Sequence, residues 1–298
     1  MAITLSDLTY RVAREIMVVR EGVATGGGTT TIIDTVNRKE AINFWEGGSA
    51  WILYDSAGLG ALPQGQFSRV SAFAATTSTL TLNTALTAVG AGDRYAVAAK
   101  RFTLQDMIQA VNRAVMDIHV VTEDITTVTT ASNQTEYTLP IAADLDLRTV
   151  HFQTHLNDAN DNRWVEILRG PGGWYIQPNA TGSADELVIP QFASGYAIKL
   201  TYMAPHPQLV AYSDALNESI HPQLVVYRAA LNLSNWYREK TRTSDQWLVD
   251  QIARLEKRTA EMEARYTEPR GPQKPGKIVM PGAFDPYTYE FQVNKVRL

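Results

Sequence analysis

The stretch Tyr95-Ala96-Val97-Ala98-Ala99-Lys100-Arg101-Phe102-Thr103-Leu104-Gln105-Asp106-Met107-Ile108-Gln109-Ala110-Val111 decides the fold class, because the period of its apolar residues changes inside it. Tyr95 to Ala98 closes a series of short Thr-rich, Gly-punctuated runs that read as strands. After Thr103, a helix N-cap, Leu104, Met107, Ile108, Val111, Val115 and Ile118 recur as one helical stripe ending near Val121. Strand texture giving way to helix texture at a short polar hinge points to the α+β class.

Working toward the N-terminus, the runs Thr31-Ile32-Ile33, Trp51-Ile52-Leu53-Tyr54, Phe67 to Phe73 and Thr79-Leu80-Thr81-Leu82 fill residues 26–100 with strands and turns. They predict a small β-barrel or sandwich closed on itself. Before it, Leu5, Leu8, Val12, Ile16 and Val19 mark a first helix capped at Ser6 or Asp7. Gly26-Gly27-Gly28 reads as a flexible linker. Working toward the C-terminus, a second antiparallel β-domain is predicted over 125–205, with helices from about Asp214 to Lys240 and Ser244 to Arg265. Val111 and Leu231 are expected in the helical core. The last helix combines a narrow apolar seam, Leu248, Ile252, Leu255 and Met262, with i,i+4 charge pairs, a pattern suited to helix or subunit contacts. Pro269, Pro272, Pro275, Pro281 and Pro286 then exclude helix and central strand, leaving residues 268–298 as an extended arm. Its rings Phe284, Tyr287, Tyr289 and Phe291 need a surface to bury them, and a neighbouring chain is expected to provide it.

The 298 residues are 45% hydrophobic and 19% charged, enough for a sizeable core and far from the composition of disordered chains. A net charge of -4 excludes a global positive field for nucleic acid or anionic membrane. With no cysteine, disulfides, thiolate nucleophiles and Cys-type zinc sites are excluded. No basic and apolar leader opens the chain and no 18-residue apolar run occurs, so a soluble chain without an ordinary secretion signal is expected.

Catalytic patterns fail at particular residues. Gly26-Gly27-Gly28 lacks the Gly-Lys-Ser/Thr of a phosphate loop. Asp158-Ala159-Asn160-Asp161-Asn162 opens like a calcium loop, but Arg163 and Arg169 stand where a glycine and a bidentate Glu belong. His151 and His155 on one strand would lie about 13 Å apart, too far to share a metal ion. His206 and His221 read as capping or interface residues, and Asp144 and Asp146 as loop partners of Arg148. The sequons at Asn133, Asn179, Asn217 and Asn232 read as chance in a Thr-rich chain. Trp45, Trp51, Trp164 and Trp174 suit core and edge packing better than a sugar platform. No enzyme and no cofactor or metal are expected.

The order helix, β-insert, helix, β-insert, two helices and arm predicts a four-helix bundle scaffold, residues 1–25, 101–124 and 206–267, with two inserted antiparallel β-domains and an extended C-terminal arm. With Leu5-Ser6-Asp7-Leu8, Leu104 to Asn112 and His221-Pro222-Gln223-Leu224-Val225-Val226-Tyr227-Arg228-Ala229-Ala230-Leu231, this layout resembles the head–tail adaptor (connector or neck) proteins of tailed bacteriophages. The segment from Gly47-Gly48 to Gly92-Asp93-Arg94-Tyr95 is also similar to a β-module of phage virion proteins. The resemblance implies a structural ring protein in the virion neck, made in the host cytoplasm and not membrane-bound. Its implied partners are a portal protein, tail or tail-tube and nozzle proteins, and further copies in a dodecameric ring. Double-stranded DNA would pass without sequence-specific binding. Phe284, Tyr287, Tyr289 and Phe291 are then the expected contacts to portal or neighbouring subunit. Asp245, Asp250, Glu256, Glu261 and Glu263 are expected to line the channel, where a basic wall would hold phosphates. The competing expectation is a receptor- or carbohydrate-binding tail or neck protein.

Overall fold

A computed structural model describes residues 2–139, 147–154, 163–177, 185–242 and 245–266, with the backbone of 278–279 and 292–293. The chain divides into two compact units, residues 1–118 with 206–268 and residues 119–205 with 269–298.

In the first unit, helices α1 (Leu5–Ile16) and α2 (Leu104–Met116) begin with the same reciprocal cap. Thr4 and Thr103 accept the N–H of Asp7 (3.3 Å) and Asp106 (3.1 Å), and those carboxylates accept the threonine N–H at 3.1 and 2.9 Å. Each box satisfies two N–H groups that the first turn leaves unpaired. The cap of α1 is therefore Thr4 rather than Ser6 or Asp7. The helix also stops at Ile16, because Val19 already belongs to a strand.

That strand, β1 (Val19–Val23), opens an antiparallel barrel with β2 (Gly26–Gly27), β3 (Thr31–Ile33), β4 (Ser49–Tyr54), β5 (Phe67–Ala74), β6 (Thr79–Leu82) and β7 (Arg94–Ala98). The order is β1-β7-β4-β5-β6-β3-β2. Residues 19–27 thus pair with β7 through β1 and with β3 through β2, so one bent stretch joins the two ends of the sheet. Ile32, Trp45, Ile52, Val70, Phe73, Leu80 and Val97 fill the interior. The triple glycine is no linker: Gly28 N–H donates to the Thr31 carbonyl at 3.0 Å, and a Cβ on Gly27 would lie 2.6 Å from that oxygen. Gly48 has the same reason to be glycine, since its Cβ would meet the Ala98 carbonyl oxygen at 2.1 Å. Asp93 is buried and accepts the N–H of Ser56 (2.9 Å) and Gly90 (2.7 Å), tying two loops together.

A buried polar chain pins the long β3–β4 connection. The Arg38 guanidinium, 2% exposed, donates to the Tyr95 hydroxyl (2.6 Å) and to the carbonyls of Arg20 and Glu21, and lies 3.6 Å from Glu40. Tyr95 in turn donates to Asp34 at 2.9 Å. Burial pushes the Tyr95 phenol up. Burial alone would raise Asp34 too, but hydrogen bonds from Asn37, Tyr95 and Val36 outweigh it and hold the carboxyl below its usual range.

The helices do not form the expected bundle scaffold. α3 (Pro222–Thr241) packs against α1, α2 and α4 (Gln246–Arg265), but the described residues hold, besides these four helices, a seven-, a four- and a three-stranded antiparallel sheet, so the architecture is largely β. α1 shows why the expectation failed. Its Thr9 hydroxyl accepts the indole N–H of Trp51 on β4 at 3.1 Å, both residues fully buried, and Tyr10 packs 6.1 Å from the same ring. An apolar stripe states that a helix face is covered, and here a sheet does part of the covering. Val111 is buried as expected. Leu231 is only half-buried, and Ala229, Ala230 and Leu233 hold the core positions of α3 instead. α3 begins at Pro222 rather than near Asp214, since proline fits the first helical position.

The second unit begins with β8 (His119–Thr129), so α2 ends five residues before Val121 and the strand starts ahead of Ile125. With β10 (Leu147–Gln153), β11 (Trp164–Ile167) and β14 (Ala197–Pro205) it forms a sheet in the order β11-β10-β14-β8. A second sheet, β12-β13-β9, comprises β12 (Tyr175–Gln177), β13 (Glu186–Val188) and β9 (Glu136–Thr138). Side chains of both sheets, including Tyr137, Val150, Leu187 and Leu200, share one core with Trp174. Within the arm, β15 (Ile278–Val279) pairs antiparallel with β16 (Gln292–Val293).

Candidate partner-binding surfaces

α4 is the most polar helix. Asp245 caps it by accepting the Trp247 N–H at 3.1 Å, and Leu248, Ile252, Leu255, Thr259 and Met262 form its buried seam. Gln251 Nε2 and Arg254 donate to the Glu15 carbonyl at 3.0 and 3.1 Å, fastening α4 to the end of α1. All five expected channel residues are exposed, but they do not share a face. At 3.6 residues per turn, Asp250 and Glu261 point outward with Arg254 and Arg258, while Glu256 and Glu263 lie on a flank. Glu263 pairs with Arg228 of α3 at 2.9 Å and Glu261 with Arg258 at 3.3 Å, and Asp250 accepts from Gln246 at 2.8 Å. Among the described residues Glu256 makes no ion pair. Because Arg254, Lys257, Arg258 and Arg265 balance the four acids within the helix, its outer surface is mixed rather than acidic. Exposed pairs of this kind contribute about 0–1 kcal/mol each, so the charges serve the surface more than the fold.

Beyond α4, Tyr266 stacks on His221 with ring centroids 3.7 Å apart and planes 9° apart. His221 occupies the N-cap of α3 without a side-chain cap bond. Phe284, Tyr287, Tyr289 and Phe291 lie outside the described residues. His206 is buried and held in one tautomer: Nε2 accepts the Asn217 N–H (3.0 Å), so Nδ1 donates to the Pro207 carbonyl (2.7 Å). Nearby, Asp214 is held below the usual carboxylate range by the N–H groups of Val210 and Ala211.

Sequence reasoning missed a basic aromatic cluster where α2 begins and the α3–α4 hairpin turns. The Arg101 guanidinium lies 4.5 Å from the Trp247 ring centroid and 4.9 Å from that of Tyr237, and the Lys240 ammonium lies 4.4 Å from the Trp236 ring. Trp236 and Trp247 are 38% and 51% exposed. The available signal was two tryptophans at positions on polar helix faces. Beside them a groove of about 240 Å³ runs between α2 and α3. A second exposed apolar element is the β4–β5 loop, which carries Leu59 and Leu62 at its surface.

Trp45, Trp51 and Trp174 are buried, and only Trp164 of the four expected tryptophans offers partial exposure. Buried rings have no face for a sugar. Among the described residues, no group of three His, Asp or Glu side chains could hold a metal ion, and no helix is long and apolar enough to cross a membrane. His151 faces Glu166 and Lys199 across β10, and burial, then the Lys199 charge, pulls its pKa down. His155, Asp144, Asp146 and residues 158–162 lie outside the described residues.

The described residues thus leave an aromatic cluster, an apolar loop and a mixed-charge helix at the surface. Residues 68–274 of the 298 match the family model described as SU10 adaptor protein, and the chain belongs to this family of bacteriophage head–tail adaptors. No curated protein matches it. As a phage adaptor it is a structural component of the virion that contacts other virion proteins. The match begins in β5 and runs past α4, so it takes in α2, α3, α4 and residues 119–205 of the second unit.

Proposed function

We propose that this adaptor forms a ring, dodecameric in the head–tail connectors it resembles, that joins the portal to the tail in the virion neck and surrounds the path of the genome. The observation that carries the reading is the family match across α2 to α4, the segment that holds the exposed aromatic cluster and the mixed-charge helix. In this reading the C-terminal arm leaves the first unit at the Tyr266–His221 stack. Phe284, Tyr287, Tyr289 and Phe291 are then buried against a neighbouring subunit or the portal. The arm supplies main-chain and aromatic contacts as an added extended segment does in other assemblies.

In this ring the outward face of α4, with the exposed carboxylates Asp250 and Glu261, turns toward the channel, while Asp245, Glu256 and Glu263 flank it. Interleaved with the four bases of the helix, the five carboxylates give a wall that is not net basic, so DNA phosphates are not held through counterion release. Tail or nozzle proteins cover the opposite rim. The test is incorporation into particles. Truncation after Arg265 leaves the melting of the remaining units nearly unchanged and abolishes incorporation. Normal particles containing the truncated chain would overturn the arm's role. Imaging of the assembled neck decides the channel: a lumen lined mainly by Lys and Arg, or no lumen, overturns that part.

A further inference from the structure

We infer that the groove between α2 and α3 is the receptor for the arm of a neighbouring copy, and that the acidic aromatic segment Phe284-Asp285-Pro286-Tyr287-Thr288-Tyr289-Glu290-Phe291 is its occupant. The inference rests on the proposed role of the arm and deepens it by naming the surface that receives it. Ala110 and Leu233, both nearly fully buried, floor the groove, and the Trp236 ring walls it at 38% exposure. Gln109 and Arg113 rim it from α2. Lys240 lies over Trp236, and Arg101 lies over Tyr237 and Trp247 beside it. Among the described residues none of Arg101, Arg113 and Lys240 makes an ion pair. The one carboxylate in the rim, Asp106, is occupied by the Thr103 cap, accepting from its N–H at 2.9 Å and its hydroxyl at 2.7 Å. A partly apolar trough with unpaired cations and open aromatic faces calls for a ligand that brings rings and negative charge together.

Residues 284–291 have that chemistry: four aromatic side chains, two carboxylates and no base. Aromatic rings stack on Trp236 and fill the trough, while Asp285 and Glu290 meet Arg113 and Lys240. The 17 residues from 267 to 283 can span up to about 58 Å when extended. The choice of a neighbour follows from symmetry. Groove and arm are different surfaces of one chain, so their contact between copies is heterologous and passes head to tail around a ring until it closes.

The test uses the full chain. A fluorescent peptide of residues 281–293 is titrated by anisotropy onto the chain carrying Asp285→Lys and Glu290→Lys, whose own arm no longer competes. Saturable binding is expected, about tenfold weaker when Arg113→Glu and Lys240→Glu are added, weaker again in high salt, and unchanged by Asp250→Lys. Arg113, Lys240 and Asp250 are exposed, and an unchanged melting curve verifies folding for each variant. No saturable binding, or equal binding to the groove-reversed chain, overturns the assignment. Native mass spectrometry then decides between a neighbour and the chain's own arm. A groove-reversed chain with a normal arm, mixed with an arm-reversed chain with a normal groove, is expected to give a heavier species containing both. If the peptide binds the groove but the mixture stays monomeric, the exchange between copies is refuted. If groove reversal leaves incorporation into particles intact while truncation after Arg265 abolishes it, the groove assignment fails and the arm's role stands.

Discussion

The hydrogen bond from the Trp51 indole to Thr9 joins α1 to the barrel, and breaking it measures how far this helix belongs to the sheet. Both residues are 0% exposed and the bond is 3.1 Å long. Thr9→Val keeps the volume but leaves a buried N–H without an acceptor, which costs about 1–3 kcal/mol. The lost hydroxyl also gives up its bonds to the Leu5 and Ser6 carbonyls, a small term because those oxygens keep their helical partners. Trp51→Phe removes the donor and part of the ring, for roughly 1–3 kcal/mol. The double variant loses packing but leaves no orphan donor, so the two changes are expected to fall short of additivity by about 1–2 kcal/mol. Urea unfolding of the four chains, followed by far-UV circular dichroism, gives the coupling from midpoints at constant slope. The pair Arg258 and Glu261, exposed and 3.3 Å apart, serves as a control with a coupling near zero. Additivity at Thr9 and Trp51 to within about 0.3–0.5 kcal/mol would refute the claim that the sheet anchors α1.

Other measurements follow from the same geometry. Gly27→Ala places a Cβ 2.6 Å from the Thr31 oxygen and is expected to destabilise by about 1–3 kcal/mol, whereas Gly26→Ala, with nothing within 4 Å, costs only a small fraction of that; equal small costs would restore the linker. Leu233→Ala in the core of α3 costs about 2–5 kcal/mol, and Leu231→Ala, half-buried, less than half as much; thermal melts that rank them the other way contradict the assigned face. Asp34 and Asp124 both have folded pKa values below the unfolded value of about 3.9, Asp124 because bonds from Thr127 and Thr126 outweigh its burial. Their stabilisation is therefore fully present above about pH 5 and is lost as pH falls below about 4, so Asp34→Asn flattens the acid limb of a stability–pH curve; an unchanged limb argues against the Asp34–Tyr95 bond.

Local chemistry was legible in the residues wherever a short range of sequence decides the outcome. The strand runs before Ala98, the apolar stripe after Thr103 and the seam of α4 each carry their own period, and the structure follows them. The resemblance to phage adaptors was legible too, since it rests on the order of such segments. Element ends were less so. The choice of Thr4 over Ser6 as cap depends on which carboxylate turns back to it, and Val19 could extend a helix until β7 offered it a ladder.

What only the tertiary structure decided is what covers each face. A helical stripe does not say whether a helix or a sheet lies over it, so four amphipathic segments read as a bundle, while Trp51 of β4 claims part of α1. Triple glycine reads as slack until Thr31 and Val89 close to within 3.2 Å of where a Cβ on Gly27 would stand. The basic aromatic cluster was largely invisible for the same reason: Arg101 comes from the turn before α2, Trp236, Tyr237 and Lys240 from α3 and Trp247 from α4, and only the i,i+4 pair Trp236 and Lys240 is set by spacing along the chain. By itself the sequence determined periods, caps and composition, because these arise from neighbours a few residues apart. Burial and the meeting of distant charges and rings belong to the folded chain, because they depend on contacts that only packing creates.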